Sequence, residues 1–380
     1  MKNILIYFYD VEIKSNSTNS VGRLVADVIQ HLEKNHQVTF FTFHENYSDQ
    51  KITTKPVTVK IGSTAKLKQK AINLFYSSKK IKSYHLKKQA VKETLLRLRN
   101  QYDFIIVPPL DEMGFLRKQF PKANIIYWIH NISAICKNEY LSLVNEANIF
   151  LSPSRTTYRL LLEKLQPRPL TAEFIFMPNW ISDDFFQTDF EFFAQIKTKH
   201  HIKDDEIVLI FSGGDQVLKG KFILDKVLNK LQNSTTKKLV FIFAGEASPQ
   251  PDKAFSENVR LISTGVLQAN ELAAYYHLAH FGCIPSLAYD HCPLVLLEMI
   301  HCHVLPIASD IGGIKEITGA DFPCLISMPH EVNAWIQAIQ SATALQERDR
   351  QDLLKPLQQK VCTIFSKQKA LAILDEIFQS

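Results

Sequence analysis

Short apolar runs alternate with amphipathic stretches of helix length along this chain of 380 residues, and no other property restricts its fold as strongly. In the first half the runs are Ile4 to Phe8, Val38 to Phe43, Phe104 to Val107, Ile125 to Ile129 and Ile149 to Leu151. Leu24, Val28 and Leu32 fall four apart within residues 21–34, and residues 155–164 have the same character, so helices lie between the runs. Runs lacking polar alternation are strands covered on both faces, and strands alternating with helices give a mostly parallel sheet sandwiched by helices. The rhythm restarts with IVLIF at 207–211 and continues at 239–243, 281–284 and 304–308. The expected fold is therefore α/β, two doubly wound Rossmann-like domains facing each other across a cleft, with ligands at the carboxyl ends of the strands. The turn formers of MPNWISDDFF, residues 177–186, mark the linker. Expected boundaries are 1–182 for the first domain, 200–362 for the second, and 363–380 for a terminal helix packing back toward the first.

Composition excludes several classes. Apolar residues make up 46% and charged residues 22%, which is material for buried cores and not for wholesale disorder. No stretch reaches the roughly 18 uninterrupted apolar residues that cross a bilayer. MKNILIYFYD reads as a first strand, not as a signal peptide. Six cysteines without small-scaffold spacing fit free thiols in a reducing cytoplasm. The net charge of +6 hides an asymmetry: residues 51–100 hold fourteen Lys or Arg against the single acid Glu93, and the remainder is acidic overall. Such a segment is either a solvated face or a basic surface for phospholipid headgroups or nucleic acid.

The chemistry is most legible in residues 281–317, FGCIPSLAYDHCPLVLLEMIHCHVLPIASDIGGIKEI. A buried strand runs into Pro285 and Ser286, a loop carries Asp290, Pro293 stands where a first helical residue would, and Glu298 falls on that helix. Amides at a helix start lack intrachain acceptors and sum with the helix dipole, so a phosphate binds there without a metal. Asp290 and Glu298, eight positions apart, are ~12 Å apart if fully helical. That spacing suits gripping two ends of an elongated ligand by its hydroxyls better than sharing a proton. A second phosphate element is SGGDQVLKGK at 212–221, where Gly213 and Gly214 permit close backbone approach and Lys219 or Lys221 supplies counter-charge. By itself a Gly-Gly after a strand is also a plain turn.

These elements, taken in order, make the chain resemble a family 4 retaining glycosyltransferase of the glycosyltransferase B fold over nearly its whole length. Asp290 and Glu298 stand after Pro285-Ser286 as that family's Glu, seven residues and Glu do. ASDIGGIKEI at 308–317 is similar to its closing segment, PNW at 178–180 to its Pro-Asn-Gly linker, SGGDQVLKG to its Gly-Arg-x-x-x-x-Lys-Gly element, and WIHN at 128–131 to its His-bearing turn. The resemblance implies transfer of a sugar from a nucleotide diphosphate donor, by family frequency a UDP-sugar, to a glycan or lipid-linked acceptor in bacterial surface polysaccharide or glycoconjugate synthesis. No metal or other cofactor is expected. It implies that Glu298 holds the ribose hydroxyls and Asp290 the donor sugar. It further implies that Lys219, with amides near Pro293, Leu294 and Val295, offsets charge on the departing diphosphate, and that His130 lies near the reacting carbon or the sugar's primary hydroxyl.

Departures from the family pattern are Gly214 where the diphosphate Arg would be, Asp290 in place of Glu, and a first loop with only Gly22 followed by Arg23, expected on the acceptor side. By the same resemblance the basic stretch becomes a membrane-facing surface, with Lys66, Lys68, Lys70, Lys79, Lys80, Lys82, Lys87 and Lys88 interleaved with Leu67, Phe75, Tyr76 and Tyr84. With no stacking platform or zinc-finger pattern, nucleic acid is not an expected partner. The expected location is cytoplasmic, peripheral on the inner face of the cell membrane. The dense His and Cys residues between His277 and His303 lack a Cys-x-x-Cys pair and are not expected to hold zinc. A non-catalytic partner subunit and a nucleotide-sugar epimerase or phosphorylase of the same fold are the alternative readings.

Overall fold

The structure is a computed structural model. It describes the chain except residues 9–11, 16, 18, 45–46, 61–78, 99, 109, 131–141, 167–168, 187–189 and 380. The chain divides into two compact units, one of residues 1–152 and 161–175, the other of residues 153–160 and 176–379.

In the first unit the apolar runs form β1 (Asn3–Ile6), β2 (Gln37–Thr42), β3 (Val57–Thr58), β4 (Phe104–Val107), β5 (Asn124–Trp128), β6 (Ile149–Ser152) and β7 (Glu173–Phe176). Their order in the sheet is β3-β2-β1-β4-β5-β6-β7, and the pairs from β3 through β6 are parallel. Ile4, Leu5, Ile105, Ile125 and Phe150 are fully buried, as strands covered on both faces require. The second unit repeats the plan with β8 (Ile207–Ser212), β9 (Leu239–Ala244), β10 (Lys253–Ala254), β11 (Val259–Gly265), β12 (Phe281–Ile284), β13 (Leu305–Ser309) and β14 (Leu325–Ile326). Here the order is β10-β11-β9-β8-β12-β13-β14, parallel except for the antiparallel edge pair β10 and β11. Both sheets are thus doubly wound, and each reverses its strand order beside its first strand, between β1 and β4 and between β8 and β12. Strand order reverses where such sheets open a crevice for ligands.

Two expectations from the sequence are corrected. Gly22 and Arg23 lie inside the helix Ser20–Leu32 and not in a loop, because the Asn19 side chain caps it by accepting the amides of Val21 at 2.9 Å and Gly22 at 3.1 Å. Arg23 is buried and its guanidinium donates to the Ser17 carbonyl at 2.9 Å. The basic segment is also only partly a surface. Within the helix Lys79–Leu98, Lys88 pairs with Asp111 at 2.5 Å and with Glu112, and Lys92 pairs with Glu112 at 3.1 Å, while the Glu112 carboxylate is itself fully buried. Lys88 is therefore an internal anchor and not a headgroup contact. Lys87 lies over the Phe43 ring, 5.2 Å from its centroid. Lys66, Lys68 and Lys70 lie outside the described residues, as do the side chains of Lys79, Lys80 and Lys82.

Within the second unit a carboxylate far along the chain caps a helix. Glu316 accepts the amides of Arg155 at 2.9 Å and Thr156 at 3.1 Å, and the hydroxyls of Ser154 at 2.8 Å and Thr156 at 3.0 Å. All four donors sit at the start of the helix Arg155–Leu165, where amides lack partners and an anion is favoured by the dipole. Burial raises the Glu316 pKa, but these hydrogen bonds outweigh it and hold the carboxyl below its ordinary 4.5.

Both features have consequences for stability. An alanine Cβ at Gly22 would stand 2.2 Å from the Glu12 carbonyl oxygen, a backbone atom that cannot swing aside as a side chain would. Gly22→Ala should therefore cost about 1–3 kcal/mol, read as a lowered midpoint in thermal denaturation. Because Glu316 titrates lower in the folded state, its contribution is complete above its unfolded pKa and fades as pH falls through the folded value. Glu316→Gln should cost about 1–2 kcal/mol in denaturant titrations at about pH 7, and the gap to wild type should narrow toward about pH 4.

Candidate active site

The loops that leave β8 and β12 define the site, since these neighbouring parallel strands flank the reversal of strand order in the second sheet. After β8 the chain turns through Gly213 and Gly214. Gly214 has a φ of +59°, and a Cβ there would come within 2.6 Å of the Gly245 carbonyl oxygen. No arginine fits this position while the loop keeps that conformation, so where the resembled pattern has an Arg this loop has a backbone contact and not a smaller cation. The amides of Gly213 and Gly214 point to the Ala244 carbonyl, at 3.4 and 3.3 Å. This turn therefore offers an anion less than its Gly-Gly sequence suggests, and the cation at its far end matters more.

Lys219 ends a short 3-10 turn, Val217–Lys219, that is fastened to the other loop by a hydrogen bond from the Leu287 amide to the Leu218 carbonyl at 2.8 Å. The fastening brings the Lys219 Nζ within 2.9 Å of Asp290 Oδ2, to which it donates. Their side chains keep 36% and 22% of their exposure, and an ion pair so open to water is worth about 0–1 kcal/mol. The ammonium has three donors, so a phosphate oxygen can join or replace the carboxylate at little cost. The other candidate cation is committed: Lys221 pairs with Glu246 at 3.0 Å and Asp225 at 3.5 Å, and these carboxylates raise its pKa against the lowering effect of burial.

The loop after β12 leads into the helix Leu294–His301. Pro293 is its cap, with φ −63° and ψ 116°, and not its first helical residue as the sequence suggests. Its carbonyl accepts the first intrahelical amide bond, from Leu296 at 3.0 Å, so the amides of Leu294 and Val295 precede the hydrogen-bonded ladder. Leu296, Leu297, Met299 and Ile300 anchor the helix in the core, and Glu298 on the same helix is only 3% exposed. The second unit thus brings Lys219 to Asp290, three residues before the Pro293 cap of the helix that carries Glu298.

His130 belongs to the first unit, just beyond β5. Its ring packs against Trp128 at 4.4 Å and edge-on to Phe8 at 5.6 Å between centroids. Its neighbour Asn131 lies outside the described residues. Among the described residues no group of His, Cys, Asp and Glu is arranged to hold a metal ion, and no helix is long and apolar enough to cross a membrane.

The supports of the Asp290 loop went unseen in the sequence. The Gly313 amide donates to the Asp290 carbonyl at 2.7 Å, the Thr157 hydroxyl bonds Nδ1 of His291 at 2.6 Å, and the Asn179 side-chain amide donates to the Cys292 carbonyl at 2.9 Å. Three consecutive residues are each held by a different segment. Only the PNW and GGIKEI motifs hinted at two of these supports, and Thr157 carried no signal.

Residues 192–355 match the model of the family described as glycosyl transferases group 1. No curated protein matches the chain. Among solved structures it is similar to a sucrose-phosphate synthase from Thermosynechococcus elongatus, with a TM-score of 0.75 at 16% identity over 100% of this chain and 98% of that one. It is also similar to Anabaena Alr3699/HepE in complex with UDP, with a TM-score of 0.70 at 12% identity over 100% of both chains. The third is WaaG, a glycosyltransferase involved in lipopolysaccharide biosynthesis, with a TM-score of 0.64 at 14% identity over 97% of this chain and 99% of that one. At these identities the likeness establishes the fold, two parallel-sheet Rossmann-like units of the glycosyltransferase B type. The matched stretch contains Lys219, Asp290, Glu298 and the helix start, and with a glycosyl transferases group 1 domain over 192–355 the chain is a glycosyltransferase.

Proposed function

We propose that this chain is a retaining glycosyltransferase that moves a sugar from a UDP donor to a glycan or lipid-linked acceptor. The observation that carries the reading is the convergence of Lys219, Asp290 and the amides of Leu294 and Val295 where strand order reverses between β8 and β12. A nucleoside diphosphate sugar has chemistry to match: two phosphates for the ammonium and the helix start, and hydroxyls at each end for carboxylates. HepE has been captured with UDP and with UDP-glucose, which supports a uridine nucleotide here.

In this reading Glu298 accepts hydrogen bonds from the ribose hydroxyls, and Asp290 from hydroxyls of the sugar. Transfer breaks the bond between the sugar's anomeric carbon and the diphosphate oxygen and forms one from that carbon to an acceptor oxygen, whose proton passes to the departing phosphate. Negative charge grows on the diphosphate as the bond breaks. Lys219 and the amides of Leu294 and Val295 offset it, each preorganised donor being worth about 3 kcal/mol in such sites. The chemistry proposed needs no metal. The role of His130 rests on the family resemblance alone.

Surface polysaccharide or glycoconjugate synthesis at the inner face of the membrane is the proposed setting. The fourteen basic residues of 51–100 support it, even with Lys88 and Lys92 committed inside the first unit. At about 1 kcal/mol per basic residue near an anionic leaflet, a handful of the remainder is enough to hold the protein there.

Two measurements test the proposal. In a thermal-shift panel of nucleotide sugars, UDP and at least one UDP-sugar should raise the melting temperature with increasing concentration, and Glu298→Ala should abolish the shift. A panel in which no uridine nucleotide stabilises the wild type removes the reading. For the membrane surface, the protein should float with phosphatidylserine-containing vesicles at low salt and be released as salt rises, while absence of binding at low salt refutes that part.

A further inference from the structure

The loop Asp290 to Cys292 is gripped at every residue, but the three grips differ in kind. Gly313 and Asn179 hold main-chain carbonyls. The Thr157 hydroxyl instead holds a side chain, Nδ1 of His291 at 2.6 Å, and the Tyr289 hydroxyl lies 3.4 Å from the same oxygen. Thr157 sits in the first turn of the helix Arg155–Leu165, and that turn is pinned by Glu316 through the amides of Arg155 and Thr156 and the hydroxyls of Ser154 and Thr156. A rigid helix start thus reaches the residue next to Asp290 through one hydrogen bond. Thr157 and His291 are both buried, at 0% and 5% exposure, and the His291 ring packs edge-on against Tyr289, 5.3 Å between centroids. The contact is shielded from competing water.

We infer that Thr157 is a positioning residue for the donor sugar: by bonding Nδ1 of His291 it fixes the loop that aims the Asp290 carboxylate. The inference rests on the proposed donor reading, in which Asp290 contacts the sugar while Lys219, Glu298 and the helix start hold the nucleotide. It assigns Thr157 to the sugar end alone. Burial pushes the His291 pKa down to about 4 against the opposing pull of Asp290, so the imidazole is neutral near pH 7 and adds no charge beside the diphosphate. A neutral ring has one donor and one acceptor nitrogen, and a hydroxyl can serve either, so the bond survives in both tautomers. Losing it strands a buried nitrogen, and a carboxylate displaced by even part of an ångström loses alignment with a hydroxyl.

The test uses the full chain with UDP and UDP-glucose, or the UDP-sugar of the panel that the wild type holds most tightly. Thr157→Val removes the hydroxyl at nearly constant volume, and Thr157→Ser keeps it. T157V should retain UDP affinity within about twofold and lose about tenfold in affinity for the UDP-sugar, with T157S restoring it. If T157V does not fold, His291→Leu cuts the same bond from the other side and should show the same selective loss. Unchanged UDP-sugar affinity, or equal losses for UDP and UDP-sugar, overturns the inference. A wild type that binds neither ligand removes the donor reading and this inference with it, and that result is seen before any variant is made.

Discussion

Parallel pairing of β8 with β12 is the constraint on which the rest of the second unit depends. The two strands are distant in sequence, and their register, Leu209 against Phe281 and Ile210 against Gly282, sets their carboxyl ends side by side. The positions of Lys219 and Asp290 are then fixed by the loop that each strand leads into. β8 leads into a turn too tight at Gly214 for a side chain, ending in Lys219. β12 leads into Asp290 and a helix start capped by Pro293. A hydrogen bond between Leu287 and Leu218 fastens one loop to the other, and the ion pair between Lys219 and Asp290 forms across that fastening.

The ion pair itself contributes little to stability, being partly open to water, and its weakness suits its position. A strong buried pair would hold the lysine against any incoming phosphate, because removing a partner from such a pair costs several kcal/mol. Rigidity is supplied by other groups. Glu316 with its four donors and the three separate grips on residues 290–292 fix the scaffold, so the exchangeable contact is carried on a non-exchangeable frame. Such a division is what a preorganised site requires, since donors already in place need no reorganisation when charge develops.

The fold was readable because buried parallel strands are written as unbroken apolar runs, and each run named in the sequence became one of β1, β2, β4, β5, β6, β8, β9, β12 or β13. The strands that went unnamed include the two-residue edges β3, β10 and β14, which are too short to carry a periodicity. The places of Lys219, Asp290 and Glu298 in the fold were legible because their signals are local: a glycine turn after a strand, and carboxylates on either side of a helix start. Glu316 was not. It caps a helix that begins more than 150 residues earlier, and no spacing in a sequence announces a cap of that reach. Lys88 failed for a related reason, since a lysine bonded to buried Glu112 looks the same in a charge count as one facing solvent.

Gly214 stands where, by the family resemblance, an arginine would bring a forked cation to the diphosphate. In this chain the backbone of residue 214 is pressed to Gly245, so the loop has given up space for a side chain, and with it the fork. There remain one ammonium, the helix amides, and a carboxylate held close to that ammonium. In the proposed reading, a single lysine that spends part of its charge on Asp290 attracts a diphosphate less strongly than an arginine and lysine together, so more of the donor's binding would fall to the ends where Glu298 and Asp290 are proposed to act. Geometry at those ends then matters more than charge at the centre, and the loop carrying Asp290 is held by three independent bonds from three separate segments.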